Sequence, residues 1–450
     1  MQNNILVKKR ALELVKGLRT RIVDPGLCHR HRRRAQDFTR ECRLTFPVTM
    51  MFLLQKGLKS LQARLHEWVW RLSEGIEQRS LSAGALTHAR AKLCASAFVE
   101  LNEQAVLPTV YGPEHQQLVR RWRGHRLLAV DSSVVRLPKS QAVAKKYGWM
   151  ECSNHGGLQE RYPQGRISVL YDLLNEMVLD ASLAAWKVPE EELAHAHLGR
   201  TQTGDVVITD RGYTGYLWLW DLLTRGAHFV SRCPRSSFVP AQELFEQNLG
   251  GQSVLRTLQV PKALKGEFLK RGWPLEVTLR FVTVRLKSGE LEVLVSSLLD
   301  EQSYPTEEFE TLYWRRWGQE TFYGRLKGRL DLENCSGLSL EAVEQDFAAT
   351  ILLSNVESVV IGPAVAELAQ RTGQREQPAK INRAVSIHAL KTRLFDLLAS
   401  SLPAEEVLAE LTRWFQSNPV SLRPHRKVPR LKFSAARSHH YQRYVRKIVF

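Results

Sequence analysis

Cysteine is scarce in this chain: Cys28, Cys42, Cys94, Cys152, Cys233 and Cys335 are scattered over 450 residues, and none forms a C-x2-C pair. That spacing excludes a disulfide framework and a zinc ribbon, and reduced thiols are expected. Cys28 does lie near His29 and His31, but Arg30, Arg32, Arg33 and Arg34 in the same stretch make it a basic segment rather than a metal site. Long hydrophobic runs are also lacking. TFPVTMMFLL, residues 45–54, is about half the ~20 residues a membrane-spanning helix needs. The opening MQNNILVKKRALEL has no apolar core or small-residue cleavage site of a secretory signal, so a cytoplasmic protein is expected. Acid is the third shortage. The 46 Asp and Glu face 64 Lys and Arg, leaving a formal charge of +18 and a pI near 9.8. Such an excess points to a polyanionic partner, most commonly nucleic acid.

The rest of the composition is that of an ordinary soluble protein, with 44% hydrophobic and 24% charged residues. The length accommodates about two to four domains. Residues 1–120 read as helical, because KKRALELVKGLRTRI, TFPVTMMFLLQKGLKSLQARLHEWVWRL and GALTHARAKLCASAFVELNEQAV space their apolar residues by threes and fours. Ser82 is placed to cap the last of these. The basic run His29–Arg34 lies between helices, beyond a break at Pro25-Gly26, and reads as an arm for DNA phosphates.

From residue 121 the pattern turns to strands. HRLLAVDSSVVRLP is a strand, followed by a polar loop through Gly157. RISVLYDLLNEMVLDASLA is two strands joined at Asn175-Glu176. EEELAHAHL is a short helix, DVVITD a buried strand, GYLWLWDLLTRGA a helix and HFVSRC another strand. Three strands, a helix, a strand, a helix and a strand follow the order of an RNase H-like core, here 121–234. Between 235 and 300, VLRTLQV, LEVTLRFVTVRL and LEVLVSSLL alternate like strands, with KSGE as a hairpin turn, and read as non-helical. Residues 301–360 hold a polar-faced helix and a packed apolar one. Residues 361–450 form a basic C-terminal region whose tail from Ser421 interleaves Tyr441 and Tyr444 with nine cations, and it reads as a DNA-contacting segment.

Three acids stand out. Asp131 lies inside the apolar run LLAVDSSVV, where an unpaired carboxylate is costly. Asp210 ends DVVITD; a turn acid is its plainer role. Glu320 lies in TLYWRRWGQETFYGRLKGRL, 311–330, with Tyr313, Arg316 and Lys327. On one continuous helix advancing about 100° per residue, these four fall within roughly 60° of one another. Such a face looks at something other than a hydrophobic core. A plain i, i+4 ion pair between Arg316 and Glu320 is the simpler alternative. Three acids on three elements of a basic chain suit metal-dependent chemistry on phosphodiesters, since hard oxygen ligands hold Mg²⁺ or Mn²⁺.

The ordered set Asp131, Asp210, Glu320, with the last inside Tyr-x2-Arg-x3-Glu-x6-Lys, resembles the bacterial insertion-sequence transposases of the IS-four type, which are DDE cut-and-paste enzymes. VDSS and TDRGY resemble the family's blocks around its first two acids. Weaker likeness in DFTRECRLTF and LSAGALTHARAKLCASAFVEL extends the resemblance over most of residues 35–360. It implies an α/β fold: an RNase H-like catalytic core interrupted by a β-rich insertion and flanked by helical N- and C-terminal regions, with DNA binding in the first of them. Asp131, Asp210 and Glu320 would be the catalytic residues and ligands of Mg²⁺, with Mn²⁺ able to substitute. Tyr313, Arg316 and Lys327 would meet DNA, with Arg211, Arg30, Arg32, Arg33 and Arg34 as further contacts. Partners would be double-stranded DNA, as terminal inverted repeats and target, and a second copy of the chain pairing two ends. Some hairpin-forming relatives carry a base-stacking Trp on the last strand before the Glu helix. LEVLVSSLL has none, and Trp273 is the substitute the sequence offers, beside the plainer role of a core or interface Trp. Two other readings stay open: an RNase H-like nuclease without strand transfer, and a domesticated DNA-binding protein that no longer cleaves.

Overall fold

The computed structural model describes residues 2–40, 42–57, 60–72, 81–153, 159–286, 288–372 and 379–421. The basic tail read as a DNA-contacting segment lies outside the described residues, as does most of the polar stretch 371–380. Helices α1 (Gln2–Ile22), α2 (Pro25–His31), α3 (Phe46–Leu54), α4 (Leu61–Leu72), α5 (Ala83–Arg90) and α6 (Ser96–Leu101) lead through a π-type turn, Asn102–Val106, to α7 (Leu107–Tyr111). Then come β1 (Leu127–Arg136), α8 (Gln141–Tyr147), β2 (Trp149–Ser153), β3 (Gln159–Asp172), β4 (Met177–Ala185), α9 (Glu190–His197), β5 (Val206–Thr209), α10 (Tyr216–Thr224) and β6 (His228–Arg232). α11 (Val239–Gln247), β7 (Ser253–Gln259), α12 (Lys265–Arg271), β8 (Glu276–Arg285) and β9 (Leu291–Ser296) precede α13 (Glu308–Trp314) and α14 (Trp317–Gly328). Last come α15 (Leu340–Val360), α16 (Gly362–Thr372), α17 (Arg383–Leu398) and α18 (Ala404–Ser417).

The chain divides into two compact units: Met1–Val119, Val134–Gly165 and Gly324–Phe450 form the first, Arg120–Ser133 and Arg166–Tyr323 the second. The boundary falls within β1, β3 and α14.

The second unit is built on a mixed sheet in the order β3-β1-β5-β6-β9-β8-β7, with β4 paired to β3. β1 runs parallel to β5 with Leu127 opposite Val206, and β5 parallel to β6 with Thr209 opposite Ser231. β9 runs antiparallel to β6, with Leu294 opposite Arg232, and β8 and β7 continue antiparallel. The apolar runs explain the central strands: Leu127 to Val130 of β1 and Val206 to Ile208 of β5 are buried, as parallel strands covered on both faces require, and Val293 to Val295 of antiparallel β9 are buried as well. The order β1, β3, β4, α9, β5, α10, β6 is that of an RNase H-like α/β core. β7, β8 and β9 extend the same sheet rather than forming a separate body.

One sequence expectation needs correction here. The stretch 235–300 is not free of helix, since α11 and α12 lie within it. Short amphipathic helices draw their stability from packing rather than local pattern. Phe268 of α12 is buried against Trp220 of α10, with ring centroids 5.5 Å apart. Trp273 packs edge-on to the same Phe268 at 5.4 Å, with the Arg271 guanidinium over its ring, and so takes the plainer role.

The first unit is mostly helical. Ser82 caps α5, its Oγ accepting from the Ala85 N–H at 3.1 Å. Pro25-Gly26 does not break the chain: Asp24 caps α2 and Pro25 takes its first turn, where a missing N–H costs nothing. The segment after β1, expected as loop, contains α8 and then β2, which pairs with residues 159–163 of β3. Leu340–Arg371 is long and apolar enough to cross a membrane, yet 83% of its most apolar window is buried inside the fold. Cys28, Cys42, Cys94, Cys233 and Cys335, among the described residues, are not joined in disulfides.

Candidate active site

Each of the three acids sits where its local backbone leaves a carboxylate at the edge of the packed sheet of the second unit. Asp131 follows the buried LLAV run of β1, and its Oδ1 accepts the Ser132 N–H at 2.8 Å. Its own carbonyl accepts the hydroxyl of buried Tyr323 at 2.6 Å. Burial pushes the Asp131 carboxyl up to about 6, against the Ser132 N–H and the Arg316 charge; Glu190 and Asp210 add to the rise. Asp210 caps a short turn at the end of β5, accepting the Arg211 N–H at 2.8 Å. The plain turn-acid role is thus present, but its side chain does more. Oδ1 also accepts the Tyr313 hydroxyl at 3.2 Å.

Glu320 is carried by α14, which Gln319 and Phe322 hold against β3. The Gln319 Nε2 donates to the Val169 carbonyl at 2.8 Å, and the Phe322 ring stacks on Tyr171 at 4.3 Å. The single helix expected across 311–330 is two: α13 ends at Trp314 and α14 begins at Trp317. Between them the backbone tightens to three-residue hydrogen bonds, Arg316 N–H to Tyr313 C=O and Gln319 N–H to Arg316 C=O. Even so, Tyr313, Arg316 and Glu320 meet around Asp210. Arg316 Nη2 lies 3.1 Å from Glu320 Oε1 and 4.0 Å from Asp210 Oδ2. The i, i+4 pair therefore exists and links two of the acids. Burial works against the Arg316 charge, but Tyr313, Asp210, Glu320 and Asp131 hold its pKa above the ordinary guanidinium value.

Two observations bear on whether these residues fit a metal. The donor set is carboxylate oxygen throughout, which suits a hard divalent cation. Two buried polar atoms beside the acids have no partner: Arg316 Nε and the Tyr213 hydroxyl, the latter within reach of the Asp131 and Asp210 charges. Arg316 Nε is a donor and cannot ligate a cation, so the fit rests on the carboxylates. The residues fit. The one trio of ligand-type atoms within 4.8 Å of one another among the described residues is elsewhere, Glu13, Glu114 and His115 in the first unit. There a Glu13–His115 hydrogen bond of 2.6 Å accounts for the grouping.

A model of the family described as the transposase DDE domain matches residues 122–356, more than half of the chain, and that span contains all three acids. The chain belongs to this family. It is 27% identical over 243 residues to transposase InsG for insertion sequence element IS4 of Escherichia coli (strain K12), covering 52% of this chain and 52% of that protein. The chain thus spans about half the length of the curated relative it matches. A cryo-EM structure of piggyBac transposase in a synaptic complex with hairpin DNA aligns at 13% identity over 95% of this chain and 86% of that one, with a TM-score of 0.41.

Around the three acids the structure adds residues that the linear pattern did not single out. Arg232, at the end of β6, places Nη1 3.0 Å from Glu292 of β9 and 4.0 Å from Asp210 Oδ1. On the other side, Arg166 donates to Ser132 Oγ at 3.1 Å and pairs with Glu190. Strand register could have pointed to Glu292: Arg232 faces Leu294, and Glu292 is its diagonal neighbour two residues on. Arg211 is exposed on the turn after Asp210.

The remaining predicted contacts belong to the first unit. Lys327 donates to the Val134 carbonyl at 2.7 Å, and burial pulls its pKa down against the charge of Glu333. Arg30 is engaged by Glu100 and, at 3.9 Å, by Asp24. Arg33 pairs with Glu341 at 3.1 Å, Arg32 reaches His29, and Arg34 is exposed.

Proposed function

We propose that this protein is the transposase of an insertion sequence. It binds double-stranded DNA at the element's terminal inverted repeats, cleaves phosphodiester bonds there and joins the 3′ ends to target DNA. It works as a homodimer on paired ends, with Mg²⁺, or Mn²⁺ in its place, in the cytoplasm at the nucleoid. The observation that supports this reading is that Arg316 links Asp210 to Glu320 and Tyr313 bonds Asp210, with Asp131 part-buried and feeling the charges of Arg316 and Asp210.

Asp131, Asp210 and Glu320 would hold divalent cations, whose chemistry would be to lower the pKa of an attacking water or 3′-hydroxyl and to stabilise the departing oxygen. The protein's part is to hold Asp131, Asp210 and Glu320 on rigid elements as their ligands. Arg316 and Tyr313 are themselves buried, and their part is to set Asp210 and Glu320 in register from below rather than to meet phosphate. Lys327, Arg211 and the Arg30–Arg34 segment add sequence-independent phosphate affinity. Each step of cut and paste is an in-line displacement at phosphorus, so one set of acids serves all of them.

The test is cleavage of a labelled duplex carrying the element's own terminal repeat, with Mg²⁺ or Mn²⁺, by the native protein and by Glu320→Gln. Nicking confined to the repeat end that vanishes in the variant while binding persists is the expected result. Binding without cleavage by either protein would instead favour a DNA-binding protein that no longer cuts.

A further inference from the structure

Two arginines flank Asp210, and neither closes on it. Arg316 Nη2 stands 4.0 Å from Oδ2 while pairing with Glu320 at 3.1 Å, and Arg232 Nη1 stands 4.0 Å from Oδ1 while pairing with Glu292 at 3.0 Å. A guanidinium beside a carboxylate ordinarily closes to about 2.7–2.9 Å and occupies its lone pairs. Something draws Arg232 back, and the shorter contact shows what. Glu292 is buried on β9, whereas Glu290, 3.9 Å from the other Arg232 nitrogen, is largely exposed and screened.

The strand register builds this arrangement. Thr209 lies opposite Ser231 in the parallel β5–β6 ladder, so the next residues along, Asp210 and Arg232, are neighbours. Leu294 lies opposite Arg232 in the antiparallel β6–β9 ladder, which puts Glu292 on the same face as Arg232. Arg232 is held between a buried acid on one side and Asp210 on the other.

We propose that Glu292 is a positioning residue that tethers Arg232 away from Asp210, whose Oδ1 already accepts the Arg211 N–H and the Tyr313 hydroxyl, and so leaves the remaining charge of that carboxylate to the divalent cation. The inference rests on the metal-binding reading of Asp131, Asp210 and Glu320. With Glu292 neutralised, Arg232 loses its nearest partner, closes on Asp210 and competes with the cation for the carboxylate's charge. The competition is worth roughly one charge-assisted hydrogen bond, or about a tenfold change in cation affinity.

The experiment is Mn²⁺ binding, followed by the paramagnetic resonance signal of free Mn²⁺, to the full-length native protein, Glu292→Gln, Arg232→Gln and the double variant, with Asp210→Asn as reference. Saturable binding in the native protein that Asp210→Asn weakens is required for the underlying reading; its absence overturns that reading, whatever Glu292 does. Given that binding, Glu292→Gln should raise the half-saturating Mn²⁺ concentration about tenfold, and the same substitution made in Arg232→Gln should change it little. Loss of a nearby negative charge would weaken binding in both backgrounds alike, and that result, or no effect in either, overturns the tether. Should Glu292→Gln alone fail to fold, Glu292→Asp in both backgrounds replaces it. The shortened acid should weaken Mn²⁺ binding only where Arg232 is present, and equal weakening in both overturns the proposal.

Discussion

Asp346 in the first unit and Asp131 in the second both sit against packed apolar residues, and the fold treats them in opposite ways. Asp346 is surrounded by donors: Arg90 Nη2 at 3.1 Å, the Ser336 hydroxyl at 2.8 Å and the Ser336 N–H, with Lys56 Nζ at 4.0 Å. Although burial works to raise it, Lys56, Arg90 and Ser336 bring its pKa below the ordinary carboxylate value. Asp131 has the Ser132 N–H, feels Arg316 through space and shares its surroundings with two further acids, and burial carries it up to about 6. A structural carboxylate is saturated by the protein; a ligand position is left undersupplied.

Substitutions at the two positions should therefore separate activity from stability. Asp131→Asn is expected to lower cleavage of terminal-repeat DNA on the order of a thousandfold while leaving the urea-unfolding midpoint unchanged or higher. A variant that unfolds early would mean that Asp131 is structural after all. Asp346→Asn reverses the pattern. It leaves Arg90 as a buried, underpaired charge, which should cost about 3–5 kcal/mol of unfolding free energy, with cleavage retained by the fraction that folds.

The pH dependence should differ in sign as well. In metal-free protein, Asp131 is raised from 3.8 to about 6, so between those values the folded chain keeps a proton that the unfolded chain has released. Its contribution is fully present below the unfolded value and is lost as pH rises through about 6. The stability of the native chain relative to Asp131→Asn, measured in chelator, should fall from pH 4 to pH 6. Asp346 contributes stability above its unfolded value that disappears as pH falls through its lowered one. Relative to Asp346→Asn, the native chain should lose stability on acidification.

A smaller effect separates the arginines of the N-terminal segment. Arg34 is exposed, whereas Arg30 is engaged by Glu100. Arg34→Ala should reduce the slope of log affinity against log salt by about 1, and Arg30→Ala by less. Equal slopes would place both arginines on DNA or neither.

Much of the fold was legible because its central strands are buried on both faces, and continuous runs such as LLAV and VVIT have few other uses. The acid-bearing positions were legible for the opposite reason: Asp131 interrupts such a run, where an unpaired carboxylate is costly. The break between α13 and α14 was not visible. TLYWRRWGQE contains neither Gly nor Pro before Gly318, so nothing in it marks the tightening at Arg315 and Arg316. Nor were α8, α11 and α12, whose seven to nine residues are too short for periodicity to prevail over neighbouring strand patterns. Glu292 and Arg232 stand 60 residues apart in sequence, and their pairing follows from register alone. Asp24 before Pro25 was the overlooked sign of a helix start rather than a break.

The most direct measurement is side-by-side cleavage of a terminal-repeat duplex in Mg²⁺ by Asp131→Asn, Asp210→Asn, Glu320→Gln and Asp346→Asn, at a temperature where all four are folded. The account predicts that the first three bind the duplex and leave it intact while Asp346→Asn cuts it. Cutting at the native rate by any of the three would remove that acid from the site and contradict the account.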